Sequence, residues 1–136
     1  MFVKACPDLK LRFLWLAIGY ALVVLVVYLS LTSNPVEIVG SFPYKDKFFH
    51  ALAYFTLMLW FAQIYHDKFQ RNMIALVLVF MGASLEYFQS FDPNRFSEAG
   101  DLLANTVGVL LGFILALTQL KNVLLNVEKF FPWLAD

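Results

Sequence analysis

Four nearly charge-free apolar runs constrain this chain most: FLWLAIGYALVVLVVYLSLT (13–32), FFHALAYFTLMLWFAQIY (48–65), MIALVLVFMGASLEYFQSF (73–91) and LLANTVGVLLGFILALTQL (102–120). Each approaches the ~20 residues that an α-helix needs to cross a hydrocarbon layer about 30 Å thick. No water reaches backbone N–H and C=O groups there, so a spanning segment is a helix or a strand of a closed barrel. Barrel strands alternate apolar and polar residues, and these runs do not. The expected fold is all-α: a single domain over 1–136, an integral membrane bundle of four transmembrane helices. Composition agrees, at 61% hydrophobic and 15% charged, against about half and a quarter in soluble domains. The first run is too long for a signal-peptide core and lacks a small-residue cleavage site, so it is read as a retained helix.

A formal net charge of zero gives no ground for nucleic-acid binding or a polybasic anchor. Cys6 is alone, which excludes an internal disulfide and a cysteine metal cluster. No cofactor and no metal site is expected. Basic residues set the orientation. With the N-terminus inside, Lys4, Lys10, Arg12, Lys68, Arg71, Lys121 and Lys129 are inner, and Lys45, Lys47 and Arg95 are outer. Seven against three places both termini in the cytoplasm. Trp60, Tyr65 and Trp133 fall near the inner boundaries, where interfacial aromatics belong. After residue 120, apolar Val123, Val127, Phe130 and Leu134 oppose Lys121, Asn122, Asn126 and Lys129. The tail is either a short amphipathic helix on the inner surface or a straight continuation of the fourth helix.

On this topology the intramembrane polar residues converge. His50 is four residues into the second helix, about 6 Å deep at 1.5 Å per residue. Glu86 is five residues before the outer end of the third helix, about 7 Å deep, and Asn105 is four residues into the fourth. Asp46, His50 and Tyr54 form one stripe; Gly82, Glu86 and Gln89 another; Asp101, Asn105, Gly108 and Gly112 a third. Gly108 and Gly112 are a small-xxx-small pair that lets helices approach closely. Turned inward, the stripes make one outward-opening polar pocket, with Arg95 in the loop over its mouth. Ionised groups in a membrane cost roughly 2.5–3.5 kcal/mol at its centre and are by default functional. The plainer readings stand beside this one. Asp46 and Asp101 suit helix N-caps, Lys47 a snorkelling anchor, Tyr54 a structural hydrogen bond, and Glu86, His50 and Arg95 a buried network that fixes helix register. Asn105 and Gln89 suit interhelical bonding as well as ligand contact. Glu98 reads as a solvated loop charge, and His66, in a loop without a visible partner, receives no role.

DKFFHALAY (Asp46, Lys47, His50, Tyr54), EYFQ (Glu86, Gln89), Arg95 and DLLANTVGVLLG (Asp101, Asn105, Gly108, Gly112) occur in that order. The set resembles the VanZ-like family of bacterial integral membrane proteins, over about residues 44–115. The founding member of that family is associated with resistance to the glycopeptide teicoplanin. The resemblance implies the bacterial cytoplasmic (inner) membrane, a cell-envelope role and a link to glycopeptide resistance, and it supplies no reaction. Three functions follow. The pocket binds or modifies an amphiphilic envelope component or a lipoglycopeptide, with Arg95 as a donor fork and His50, Gln89, Asn105, Asp101, Asp46 and Tyr54 around it. Alternatively, Glu86 and His50 are the acid–base pair of an enzyme acting on a lipid-linked substrate; a cation bridging Glu86, Asp101 and His50 is a weaker variant. Ser84 and Ser97 have no activating context as nucleophiles. Third, the bundle is a structural partner of another membrane protein. Transport is disfavoured, because the polar stripes stop halfway and leave the inner half dry.

Overall fold

The computed structural model describes residues 8–32, 45–93 and 99–134. Arg95, with Cys6, Ser97 and Glu98, lies outside the described residues. Every described element is helical: α1 (Arg12–Leu31), α2 (Lys45–Ile64), α3 (Lys68–Gln89), α4 (Ala99–Leu115), a 3₁₀ turn (Gln119–Asn122), α5 (Val123–Phe130) and a last 3₁₀ turn (Pro132–Leu134). By length and composition α1 and α3 are long and apolar enough to cross a membrane, and α4 with Gln119–Phe130 is a bent pair that counts as a third only if the pair is one span. The sequence implied four. Polar residues such as Lys47, His50 and Gln63 lower the hydropathy of α2, and α4 has only 17 residues.

The helices begin before the apolar runs do, α3 at Lys68 rather than 73 and α2 at Lys45 rather than 48. Charged side chains in a first turn reach water while the backbone is already helical. For α3 the start is set by Asp67, whose extended backbone and side chain cap the helix by accepting from Gln70 N–H at 3.2 Å. Asp46 and Asp101 lie inside the first turns of α2 and α4 rather than at caps, where their charge still suits the helix dipole. The fourth run does not stay helical to 120. Thr118 takes extended backbone and its hydroxyl accepts from Leu120 N–H, so the chain turns. Beyond it Gln119–Phe130 runs at 81° to α4, which decides against a straight continuation.

The bundle alternates in direction. Lys47 pairs with Asp101 near the starts of α2 and α4, and Gln89 reaches Ser30 near the ends of α3 and α1. One end therefore holds Lys45, Gln89 and Ala99 (the loop end), and the other holds Arg12, Ile64, Lys68 and Leu115 (the tail end). α2 is the spine. It touches α1, α3, α4 and α5, and packs most extensively on α4. Tyr54, Leu57, Met58, Phe61 and Ala62 of α2 are buried with Leu78, Val109 and Ala116. Gly108 and Gly112 make this possible, since their faces lie on Ala51 and on Phe55 and Met58 of α2. Two positions four apart on α4 thus meet two positions four apart on α2, the parallel register expected of a small-xxx-small stripe. Only Gly19 of α1 is buried. Phe13, Val24, Tyr28, Leu76, Val77, Phe80, Leu103 and Leu110 stand exposed, an apolar exterior suited to lipid.

Candidate functional site

The loop end brings polar groups from three helices together. His50 Nδ1 lies 3.0 Å from Asn105 Oδ1 across the α2–α4 contact. An amide oxygen only accepts, so Nδ1 carries the proton. In a neutral ring Nε2 is then left as an acceptor. Asn105 is 2% exposed. Its amide nitrogen also abuts α3, standing 3.1 Å from where a Cβ on Gly82 would sit, with the Tyr54 ring 3.4 Å from the same point. A Cβ at 82 would press on the Asn105 amide, which would have to give by a few tenths of an ångström. One turn further toward the loop end Glu86 is buried, at 8% exposure. Asp101, one turn before Asn105, is buried and lies 3.5 Å from Lys47 Nζ. The stem of Lys47 covers Gly100, so this lysine ties α2 to α4.

The sequence-expected set divides. His50, Asn105, Tyr54 and Gly82 meet, and Glu86 and Asp101 are buried beside them on α3 and α4. Asp46 is exposed. Gln89 is buried but donates to the Ser30 carbonyl at 2.7 Å, joining α3 to the end of α1. Arg95 lies outside the described residues. Among the described residues no three His, Cys, Asp or Glu side chains stand where they could share a metal ion, so the bridge over Glu86, Asp101 and His50 finds no cluster.

A second polar assembly, at the tail end, escaped the sequence reading. Glu128 of α5 is 5% exposed. It accepts from the backbone N–H groups of Lys10 and Leu11 and from the Trp15 indole, each at 2.8 Å. α5 thereby supplies the start of α1 with the acceptors that a helix N-terminus lacks. Burial pushes the Glu128 carboxyl up, but the bonds from Leu11, Trp15 and Lys10 and the Lys10 charge outweigh it, and the pKa falls below its ordinary value. Nearby, Gln63 accepts from Leu124 N–H at 2.8 Å. His66 Nε2 donates to the Lys121 carbonyl at 3.0 Å, so it has a partner after all. Trp60 donates to the Trp15 carbonyl and packs edge-on against that ring. The face of α5 turned to the bundle is Leu124 and Glu128, not the stripe of Val123, Val127, Phe130 and Leu134, of which Val123, Phe130 and Leu134 are exposed.

A family model described as VanZ/LLP1 matches residues 14–124, from the first turn of α1 into α5. No curated protein and no solved structure is a significant match. The match takes in every described residue of the loop-end site, extends past the motifs that suggested it to α1, and covers most of the sequence. The chain belongs to the VanZ-like family of membrane proteins.

Proposed function

We propose that the loop-end site receives the polar head of an amphiphilic envelope component or lipoglycopeptide at the outer leaflet of the bacterial cytoplasmic membrane. The observation that carries this is the junction of His50, Asn105 and Gly82 with Glu86 buried one turn away. Three helices bring polar groups to one depth, which is costly in lipid and is by default functional. In this reading all four long helices span. α2 has 20 residues, and α4, at 17, rises about 25 Å before its bend. The tail end, with most of the basic residues, is cytoplasmic. His50 Nε2 accepts from a hydroxyl or ammonium of the ligand, Arg95 in the α3–α4 loop forks onto a phosphate or carboxylate, and the apolar exterior takes the acyl or isoprenoid chain. The polar head is bound where water meets lipid and the tail stays in lipid throughout.

The test is mass spectrometry of purified protein incubated with envelope lipids. An unmodified lipid should co-purify with the wild type and be lost from Asn105→Ala and Glu86→Gln, provided both variants keep the wild-type yield and circular dichroism. Retention of the same lipid by both variants refutes the site. A chemically changed lipid would favour the acid–base alternative instead.

A further inference from the structure

The tail end holds one feature that neither the loop-end site nor the Glu128 assembly uses. Gln70 is 7% exposed, and its side-chain oxygen is buried with no hydrogen-bond partner among the described residues. The next residue, Arg71, has its Nε buried and equally unpartnered. Its guanidinium lies over the Phe113 ring of α4, 5.3 Å from the centroid, and among the described residues no carboxylate forms an ion pair with it. A buried donor or acceptor left unpaired forfeits its hydrogen bond to water, so two on adjacent residues call for an explanation. Both belong to the first turn of α3, where Gln70 N–H is already taken by Asp67. Arg71 is only about 5 Å along the helix from Lys68, which is headgroup depth if α3 crosses the membrane.

We propose that the first turn of α3 and the Phe113 face of α4 form a binding site for a phosphate group that carries a neighbouring hydrogen-bond donor. Arg71 supplies a planar cationic fork, whose Nε and Nη donors match phosphate oxygens. Phe113 holds the guanidinium plane by cation–π contact, so little ordering remains to be done on binding. Gln70 accepts from the ligand's hydroxyl or ammonium, which selects against a choline headgroup, because choline has no donor. The chemistry fits a glycerol or ethanolamine phospholipid of the leaflet at the tail end, and equally a free phosphate. The site is distant from the loop-end junction and does not depend on it.

Thermal unfolding of the purified protein in a phosphate-free detergent provides the test. The probes are short-chain phosphatidylglycerol, short-chain phosphatidylcholine and inorganic phosphate, each titrated separately. Phosphatidylglycerol or inorganic phosphate should raise Tm, and whichever does so identifies the source; phosphatidylcholine should act more weakly. Arg71→Gln should weaken the apparent affinity about tenfold or more, the loss of a charge-assisted contact, and Gln70→Leu should erase the preference over phosphatidylcholine. Lys68→Gln, which removes an equal but exposed charge on the same turn, should leave the titration unchanged. If Arg71→Gln lowers the unliganded Tm, Arg71→Lys, which keeps the charge without the fork, serves as the comparison and should bind more weakly than the wild type. No Tm rise in any arm, or one that survives in Arg71→Gln, overturns the proposal, as does an equal loss in Lys68→Gln.

Discussion

Gly108→Ala isolates the contact on which the loop-end site depends. A Cβ at 108 meets the carbonyl oxygen, carbonyl carbon and Cα of Ala51, well inside van der Waals contact. All three are backbone atoms, so no side chain is able to swing aside, and α2 and α4 must separate. Overpacking of this kind costs about 1–3 kcal/mol. Against it stands the better helix propensity of alanine, about 1 kcal/mol. With a backbone clash the steric cost falls in the upper part of its range, which leaves a net loss of about 1–2 kcal/mol. Two other glycines of the same helix calibrate the result. At Gly112 the added methyl meets Met58 Cβ and the Phe55 carbonyl at 2.9 Å, a milder conflict; at Gly100 it meets the flexible end of Lys47 at 2.7 Å. Thermal unfolding in one detergent should therefore rank Gly100→Ala at or above the wild type, Gly112→Ala below it and Gly108→Ala lowest. Lipid co-purification should fall with Gly108→Ala, since separating the helices draws His50 from Asn105. A Gly108→Ala protein as stable as Gly100→Ala would refute the parallel α2–α4 register.

Glu128→Ala leaves the Lys10 and Leu11 N–H groups and the Trp15 indole without their acceptor and should cost at least about 2 kcal/mol; Glu128→Gln should cost less, both read by thermal unfolding and by proteolysis of the tail. The folded-state pKa of Glu128 is depressed, so its stabilisation is full above the ordinary value of 4.5 and is lost as pH falls through the lower folded value. Trp15 fluorescence should report release of α5 only in that acid window, and release near neutral pH would contradict the geometry. A double-mutant cycle of His50→Ala and Asn105→Ala should show a coupling of about 0.5–1.5 kcal/mol; additive losses would mean that the 3.0 Å contact contributes nothing. In a Cys6→Ala background, a cysteine at position 95 should react with an impermeant thiol reagent added outside cells, whereas labelling only after lysis would reverse the proposed orientation.

How legible each part was depends on whether its partners leave a residue-type signal. The loop-end junction could be read because both sides of each contact are distinctive: His50 opposite Asn105, and Gly108 and Gly112 opposite helix backbone. Periodicity placed them on faces, and topology placed them at one depth. Glu128 was not legible. Two of its three donors are backbone N–H groups, 118 and 117 residues away, and any residue but proline offers such a donor. The break in the fourth run had one faint cue, a threonine at 118 in an apolar stretch. Threonine is also common inside membrane helices, as Thr106 shows by bonding back to the Leu102 carbonyl within α4. For α5 the sequence offered a surface helix with an apolar stripe but no residue for docking it; Val123, Phe130 and Leu134 of that stripe are exposed, and the docked face follows the hydrogen bonds of Glu128 and the fit of Leu124.

Polar groups at both ends bear on what the bundle is able to do. The sequence argued against transport from a dry inner half, yet Gln63, Gln70 and Glu128 are buried at the tail end. Packing between the two ends supports the same expectation. Along α2, His50 and Gln63 are 13 residues apart, about 20 Å, and the stretch between them is closed. Tyr54, Leu57 and Met58 are 2%, 1% and 0% exposed, and Leu78 and Val109 seal the α3 and α4 sides at 4% and 0%. Gly108 and Gly112 hold α4 against α2 across this zone at backbone contact, so opening a path between these helices would have to part them. Two polar ends separated by a buried apolar waist should act independently under the two proposals above. The loop-end and tail-end sites should accordingly fail one at a time: Asn105→Ala should leave the phosphate response of Arg71 intact, and Arg71→Gln should leave lipid capture at the loop end intact. Loss of both from either substitution would mean that the waist transmits, and the independence argued from its packing would be wrong.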